Sequence, residues 1–184
     1  YLGLVERSGT RRLIGSVIAE TSRWLVDHSA ASSVRCKLMG LVERRGTPTE
    51  IDRILKETRL WLSRNPGDGD VRGMYLTLVE RKGTPADLGN AISHTGQWLA
   101  ENSDESFVRM AYLGVIERVG TIAQAYQEIK ETGEWLTRHS DDTCIRNSYL
   151  GLVGRKGTPV QAEHVIEETV HWLANHPDDN VVRT

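Results

Sequence analysis

Residues 34–70 read VRCKLMGLVERRGTPTEIDRILKETRLWLSRNPGDGD, and the chain then begins the same phrase again, VRGMYLTLVERKGTP, at residue 71. Variants of it return as VRMAYLGVIERVGTI from residue 108 and IRNSYLGLVGRKGTP from residue 145. The interval is 37 residues throughout. Trp24, Trp61, Trp98, Trp135 and Trp172 keep it, each followed by leucine. Gly9, Gly46, Gly83, Gly120 and Gly157 keep it too, each followed by threonine. Thr21, Thr58, Thr95, Thr132 and Thr169 form a third series. Two arginine series complete the frame: Arg7, Arg44, Arg81, Arg118, Arg155, and Arg35, Arg72, Arg109, Arg146, Arg183. A fixed period of this length is the signature of a repeat architecture.

Each unit reads as a pair of helices. In the first, Val34, Leu38, Leu41 and Val42 recur at helical spacing and span an arc of about 100°. Gly46 then stands where a left-handed residue commonly ends a helix. Thr47-Pro48-Thr49-Glu50 supplies an N-cap, a proline at the first helical position and an acid at the third. The copies at Thr84-Pro85-Ala86-Asp87 and Thr158-Pro159-Val160-Gln161 repeat that signal, while Ile122 replaces the proline ahead of Gln124. In the second helix Ile51, Ile54, Leu55, Thr58, Trp61 and Leu62 fall on one stripe about 120° wide. Asn65-Pro66 and His176-Pro177 end it. Linkers this short make neighbouring helices antiparallel. One hairpin cannot bury its own stripe, but stacked copies bury it continuously. The predicted fold is all-α: an α-solenoid of five stacked helix-turn-helix hairpins over 1–184, with repeats at 1–37, 38–74, 75–111, 112–148 and 149–184. Residue 1 falls inside a first helix and residue 184 just after the start of another, so the stretch reads as part of a longer array.

The pattern resembles the tetratricopeptide repeat along the whole chain. The residues that carry the resemblance are Leu2-Gly3, Leu113-Gly114 and Leu150-Gly151 in the first helix, the glycine closing that helix, and the His-Pro-Asp-Asp or Asn-Pro stretch between units. The unit departs from that family in being three residues longer than its usual length of about 34, and in carrying Trp late in the second helix. Asp178, Asp179, Val182 and Arg183 also look like the inter-helix turn of HEAT repeats. Near-identical repeats of this kind are similar to the C-terminal sensor arrays of bacterial signal-transduction ATPases. What the tetratricopeptide resemblance implies is a superhelix whose first helices line a concave, partner-binding groove.

Composition narrows the classes. Of the 184 residues, 39% are apolar and 26% charged, with a net charge of −2 and an isoelectric point near 6.3. Such a chain has no general attraction for nucleic acid or anionic lipid. No run approaches the ~18 apolar residues of a membrane span. Cys36 and Cys144 share neither metal-ligand nor redox spacing. Together these features predict a cytoplasmic protein with reduced thiols.

The chain has no glycine-rich phosphate loop, no Gly-x-Ser-x-Gly and no metal spacing. His28, His139 and His176 share one repeat position with Asn65 and Asn102, which suits helix termination better than metal binding, since equivalent points on stacked hairpins lie too far apart to share an ion. The reading is of a binding protein and not an enzyme, with no cofactor and no metal.

The candidate site is the first-helix face opposite its apolar stripe, where positions 33, 36, 37, 40 and 44 cluster within about 100°. Equivalent positions differ between copies: Ser33, Asp70, Phe107 and Cys144; Cys36, Gly73, Met110 and Asn147; Lys37, Met74, Ala111 and Ser148. The Gly40 equivalents stay small, and Arg44, Arg81, Arg118 and Arg155 never change. Repeat scaffolds fix a frame and vary the readout. Ser33, Lys37, Asp70, Met74, Phe107, Met110, Cys144 and Asn147 are therefore the variable binding candidates, interleaved with the arginine row. That row either grips anions of a partner or pairs with Glu6, Glu43, Glu80 and Glu117, with Gly154 requiring a different pairing in the last copy. The expected partner is a protein or peptide. A single-stranded RNA read one base per repeat is the alternative, disfavoured by the acidic isoelectric point. A spacer that self-associates through its repeat ends is the third possibility.

Overall fold

The computed structural model describes residues 1–183, with Ser8 described by its backbone alone. Among the described residues there are ten α-helices and no strand. The shorter helices open each hairpin: α1 (Leu2–Ser8), α3 (Ser32–Arg45), α5 (Gly69–Lys82), α7 (Ser106–Val119) and α9 (Thr143–Lys156). The longer ones close it: α2 (Arg11–Asp27), α4 (Pro48–Arg64), α6 (Pro85–Glu101), α8 (Ile122–Arg138) and α10 (Pro159–Asn175). No helix is long and apolar enough to cross a membrane among the described residues.

The chain divides into two compact units, Tyr1–Trp98 and Leu99–Thr184. In the first, α1, α3 and α5 lie side by side, and α2 and α4 each pack both on their own first helix and on the next one. In the second, α7 lies beside α9, and α8 bridges the two in the same way, with α10 against α9. Within each unit the hairpins stack as repeats.

Local chemistry sets the helix ends. Thr47 accepts from Glu50 N at 3.2 Å while Glu50 Oε2 accepts from Thr47 N at 2.7 Å, a closed capping box. Thr84–Asp87, Thr121–Gln124 and Thr158–Gln161 form the same reciprocal pair. Thr10 makes only half of it, because residue 13 is a leucine. Ahead of the next hairpin, Asp68 and Asp142 accept from Val71 N and Ile145 N, both at 2.9 Å.

The closing glycines work differently from the expectation. Gly46 has φ −71° and ψ 154°, and no glycine in the structure has positive φ. Its amide still donates to Val42 O at 2.8 Å, after which the chain swings out in extended geometry. A Cβ at Gly46 would stand 2.6 Å from Val42 O, and the values at Gly83, Gly120 and Gly157 are 2.6, 2.7 and 2.6 Å. Close approach of side-chain space to the last helical carbonyl, not left-handed backbone, is what excludes a side chain here.

The stripe of α4 is buried as read from sequence: Ile54, Leu55, Thr58, Trp61 and Leu62 are covered, with Ile51 half-buried. The first helices are buried more widely than one arc. In α3, Met39 and Gly40 are buried beside Leu38, Leu41 and Val42, whereas Val34 is only half-buried. This helix touches α1, α2, α4 and α5, so little of its circumference is left to solvent.

The tryptophans form the joints between hairpins. Trp61, Trp135 and Trp172 donate Nε1–H to the carbonyls of Ser29, Ser103 and Ser140 in the preceding turn, at 2.8, 2.7 and 2.7 Å. Arg35, Arg72, Arg109 and Arg146 lie over the rings of Trp61, Trp98, Trp135 and Trp172 at 4.7 to 5.4 Å. That cation–π cover desolvates a guanidinium that each unit keeps, and it gives the second arginine series its structural role. Trp24 departs from the core assignment made for all five. It is 42% exposed, whereas each of the other four has over its ring the arginine 26 residues earlier, on the first helix of its own hairpin.

Candidate functional site

The first-helix faces are built by the fixed arginines. Arg44 reaches back from α3 to α1: Nη2 donates to Glu6 Oε2 at 2.8 Å, and Nε donates to Glu6 Oε1 in a short second bond. Arg81 of α5 meets Glu43 of α3 at 2.6 Å, and Arg155 of α9 meets Glu117 of α7 at 3.1 Å. Each bridge joins an arginine to the glutamate of the preceding hairpin. The last copy therefore needs no different pairing, contrary to the sequence-based expectation. Arg155 uses Glu117, and Gly154 replaces a glutamate that Arg155 does not use.

Small residues make this geometry possible. A Cβ on Gly40 would stand 3.2 Å from Arg44 Nη2, and one on Gly114 would stand 3.3 Å from Arg118 Nη2. The glycine one turn before the arginine lets the guanidinium lie flat across its helix. It is also why Gly40 is buried, not displayed on the face as the spacing suggested.

The bridges are lopsided in exposure. Arg44 is 51% exposed against 26% for Glu6, and Arg81 is 61% exposed against 10% for Glu43. Carboxylates sit inside and guanidinium edges face out, so each face offers N–H donors more than acceptors. The bond from Arg44 holds the Glu6 carboxyl below the usual carboxylate range against a small cost of burial, with Arg45 and Arg7 adding to it. Arg45 also ties α1 down, donating to Glu6 O at 3.1 Å and Gly9 O at 3.4 Å.

In the first unit, Lys37, Arg44, Cys36 and Met74 line an open cleft of about 500 Å³ between α1, α3 and α5, floored by Gly3, Gly40 and Leu41. Lys37 is exposed and Met74 half-buried. Ser33, Asp70 and Arg81 are exposed on α3 and α5 and do not line that cleft. Burial pushes the Cys36 thiol up to about 11, with Asp68 and Asp70 adding to it. That setting disfavours the thiolate.

In the second unit the corresponding face joins α7 and α9. Phe107, Cys144 and Asn147 are exposed, and Met110 is half-buried. Arg118 and Arg155 are exposed at the far ends of the two helices. Phe107 and Met110 are three residues apart on α7 and share one side of it. Apolar contact is thus available in this unit, and cationic contact around Lys37 in the other.

Two features were not read from the sequence. The histidines that end α2, α8 and α10 stack on the tryptophan one turn earlier, with centroids 3.9 Å apart and planes within 5 to 9°. His139 Nδ1 lies 3.1 Å from the Trp135 carbonyl, which can only accept, so Nδ1 donates to it; Nε2 lies 3.4 Å from Asp104 Oδ1. His176 repeats this with Trp172 and Asp141. No group of three or more His, Cys, Asp or Glu side chains close enough to hold a metal ion occurs among the described residues. The second feature is Glu128, buried in α8 where the other copies carry Val17, Ile54, Ala91 and Val165. Burial, then Glu131, pushes its carboxyl up to about 7, against a downward pull from Arg109. An acid on an otherwise apolar repeat position was the available signal.

In comparisons with protein families, curated proteins and solved structures, none matches the chain.

Proposed function

We propose that this chain is a tetratricopeptide-like binding scaffold, a binder and not a catalyst, that holds a protein or peptide segment against the exposed faces of its first helices. One observation carries the reading. Residues that every copy keeps are spent on the frame: Arg44 and Arg155 on bridges between hairpins, Arg35 and Arg146 on tryptophan rings, Gly46 and Thr47 on helix ends. An exposed position on the same helices changes from copy to copy, from Ser33 to Asp70, Phe107 and Cys144, and beside it Lys37 gives way to the half-buried Met74, Ala111 and Ser148. A constant frame with a varied display is how repeat scaffolds select partners. Part of the reading is a cytoplasmic setting, in keeping with two free cysteines, and use as the ligand-sensing portion of a larger signalling protein.

The arginines support protein over RNA. Each bridged guanidinium already faces a glutamate as counter-charge, which weakens a phosphate-binding row. Affinity capture from the source organism, with and without nuclease, tests the proposal. A protein recovered in both conditions, and lost with Phe107→Ala/Met110→Ala, supports it. Nucleic acid, or proteins recovered only without nuclease, replaces it with an RNA-binding function.

A further inference from the structure

A cleft of about 370 Å³ opens between α8 and α10, over α9, within the second unit. That volume falls in the range of small-molecule sites, about 300–1,000 Å³. Leu136 of α8 and Trp172 of α10 give it apolar walls, the buried Arg146 and Tyr149 of α9 its floor, and the exposed Glu168 of α10 its rim. It is a groove between two hairpins that are both present. Glu131 and Glu134, the α8 counterparts of Glu168 and His171, stay exposed although α9 and α10 follow them, so a following hairpin does not cover this face.

The floor holds a charge that the fold leaves unmatched. Arg146 is only 7% exposed. Its guanidinium lies 4.7 Å from the centre of the Trp172 ring and Nη2 donates to Ser140 O at 3.5 Å, but Nε has no hydrogen-bond partner. Burial lowers its pKa and Glu168 raises it. Glu168 Oε1 nevertheless lies 3.6 Å from His164 Nε2, and it forms no ion pair with Arg146 among the described residues. A buried cation without a paired anion is costly, and a carboxylate entering the cleft would relieve that cost.

Tyr149 adds a second donor. Burial, then Glu168, pushes its hydroxyl up to about 12, so it keeps its proton at neutral pH. Gly133 leaves room over it, since a Cβ there would stand 3.2 Å from the hydroxyl oxygen. Two hairpins earlier the matching position is Arg59, whose charge acts on the matching Tyr75.

The charges select the ligand. An anion alone would face Glu168 at the rim, and a cation alone would face Arg146 on the floor. A small molecule carrying both charges meets both groups. We propose that the α8–α10 cleft binds a free α-amino acid, with its carboxylate on Arg146 and the Tyr149 hydroxyl, its ammonium on Glu168 and its side chain against Leu136 and Trp172. The related cleft over Arg35 and Trp61 keeps Glu57, but has Leu38 for Tyr149 and Arg64 for Asn175, so it lacks the hydroxyl and the balance of charge. The α8–α10 site shares no residue with the first-helix faces proposed to hold a partner, so the two readings stand or fall separately.

Thermal unfolding of the 184-residue chain with each free L-amino acid in turn tests this, because a ligand held only by the folded chain raises the melting temperature. At least one amino acid should raise it, and should titrate calorimetrically at one per chain. Its N-acetyl form, which lacks the ammonium, and its amide, which lacks the carboxylate, should each bind at least about tenfold more weakly. Glu168→Gln, at an exposed position, should weaken the free amino acid to the same degree. Gly133→Val, which gives α8 the residue that Val170 supplies at the matching place in α10, should abolish binding with the helical circular dichroism retained. A melting temperature that no amino acid raises overturns the proposal. An N-acetyl form that binds as tightly as the free amino acid, or undiminished binding in either variant, overturns it as well.

Discussion

Replacing Trp135 by alanine tests the joint that holds the hairpins together, with Trp24 as its internal control. Trp135 is 1% exposed, its ring lies between the His139 imidazole and the Arg109 guanidinium, and its N–H is bonded to Ser103 O. Burying a tryptophan removes about 150–250 Å² from water, which at about 25 cal/mol per Å² sets an upper value of about 4–6 kcal/mol. Because surrounding side chains relax into part of the cavity, a loss of about 3–5 kcal/mol is expected. Trp24 keeps 42% of its surface exposed and lacks the covering guanidinium, so Trp24→Ala should cost about 2 kcal/mol or less. Urea unfolding followed by circular dichroism measures both, at a concentration low enough to exclude association. Equal losses at the two positions, or a loss below about 1 kcal/mol at Trp135, would refute the account of the joint.

Three further outcomes follow from the same geometry. Glu128 binds its proton more tightly in the folded chain, up to about 7 against an ordinary 4.5; its contribution to stability is full below pH 4.5 and is lost as pH rises through about 7. Urea midpoints should therefore fall between pH 5 and pH 8, and Glu128→Gln should flatten that fall while raising stability at pH 8. Gly46→Ala should destabilise by about 1–3 kcal/mol despite its negative φ, because the new Cβ has no room beside Val42 O. Gly89→Ala, on α6 with nothing within 4 Å of the added atom, should instead stabilise by about 0.5–1 kcal/mol in the same melts. A double-mutant cycle on Arg44 and Glu6 should give a coupling of at most about 1 kcal/mol that shrinks with added salt, since the pair is open to solvent.

The hairpin architecture was legible because it rests on local rules. Thr47 with Glu50 declares a helix start, Ile54 to Leu62 declare one buried stripe, and Asn65 or His139 ends the helix, all within a single repeat. What escaped depends on neighbouring copies. Met39 and Gly40 are buried because α3 has four helical neighbours, which one arc of apolar residues does not reveal. Arg155 pairs with Glu117 and not within its own helix, since the bridging distance is set by stacking. Gly46 was given the right place and the wrong cause: glycine identity does not distinguish backbone freedom from lack of space. For the candidate site, the period separated constant from varied positions, and the structure leaves Ser33, Lys37, Phe107 and Cys144 exposed. The tilt of the arginines toward solvent came only with coordinates, because it follows from Glu43 and Glu117 being the inner partners.

The central claim is that partners are read by the first-helix faces, and a binding titration with the captured protein tests it most directly. Wild type is compared with Phe107→Ala/Met110→Ala on α7 and with a control of equal size on the exposed side of α8, Tyr126→Ala/Lys130→Ala. The account predicts at least about tenfold weaker binding, or about 1.4 kcal/mol, for the α7 variant and wild-type affinity for the control. Wild-type affinity in the α7 variant, with weakened binding in the control, would contradict it and move the site to the second helices.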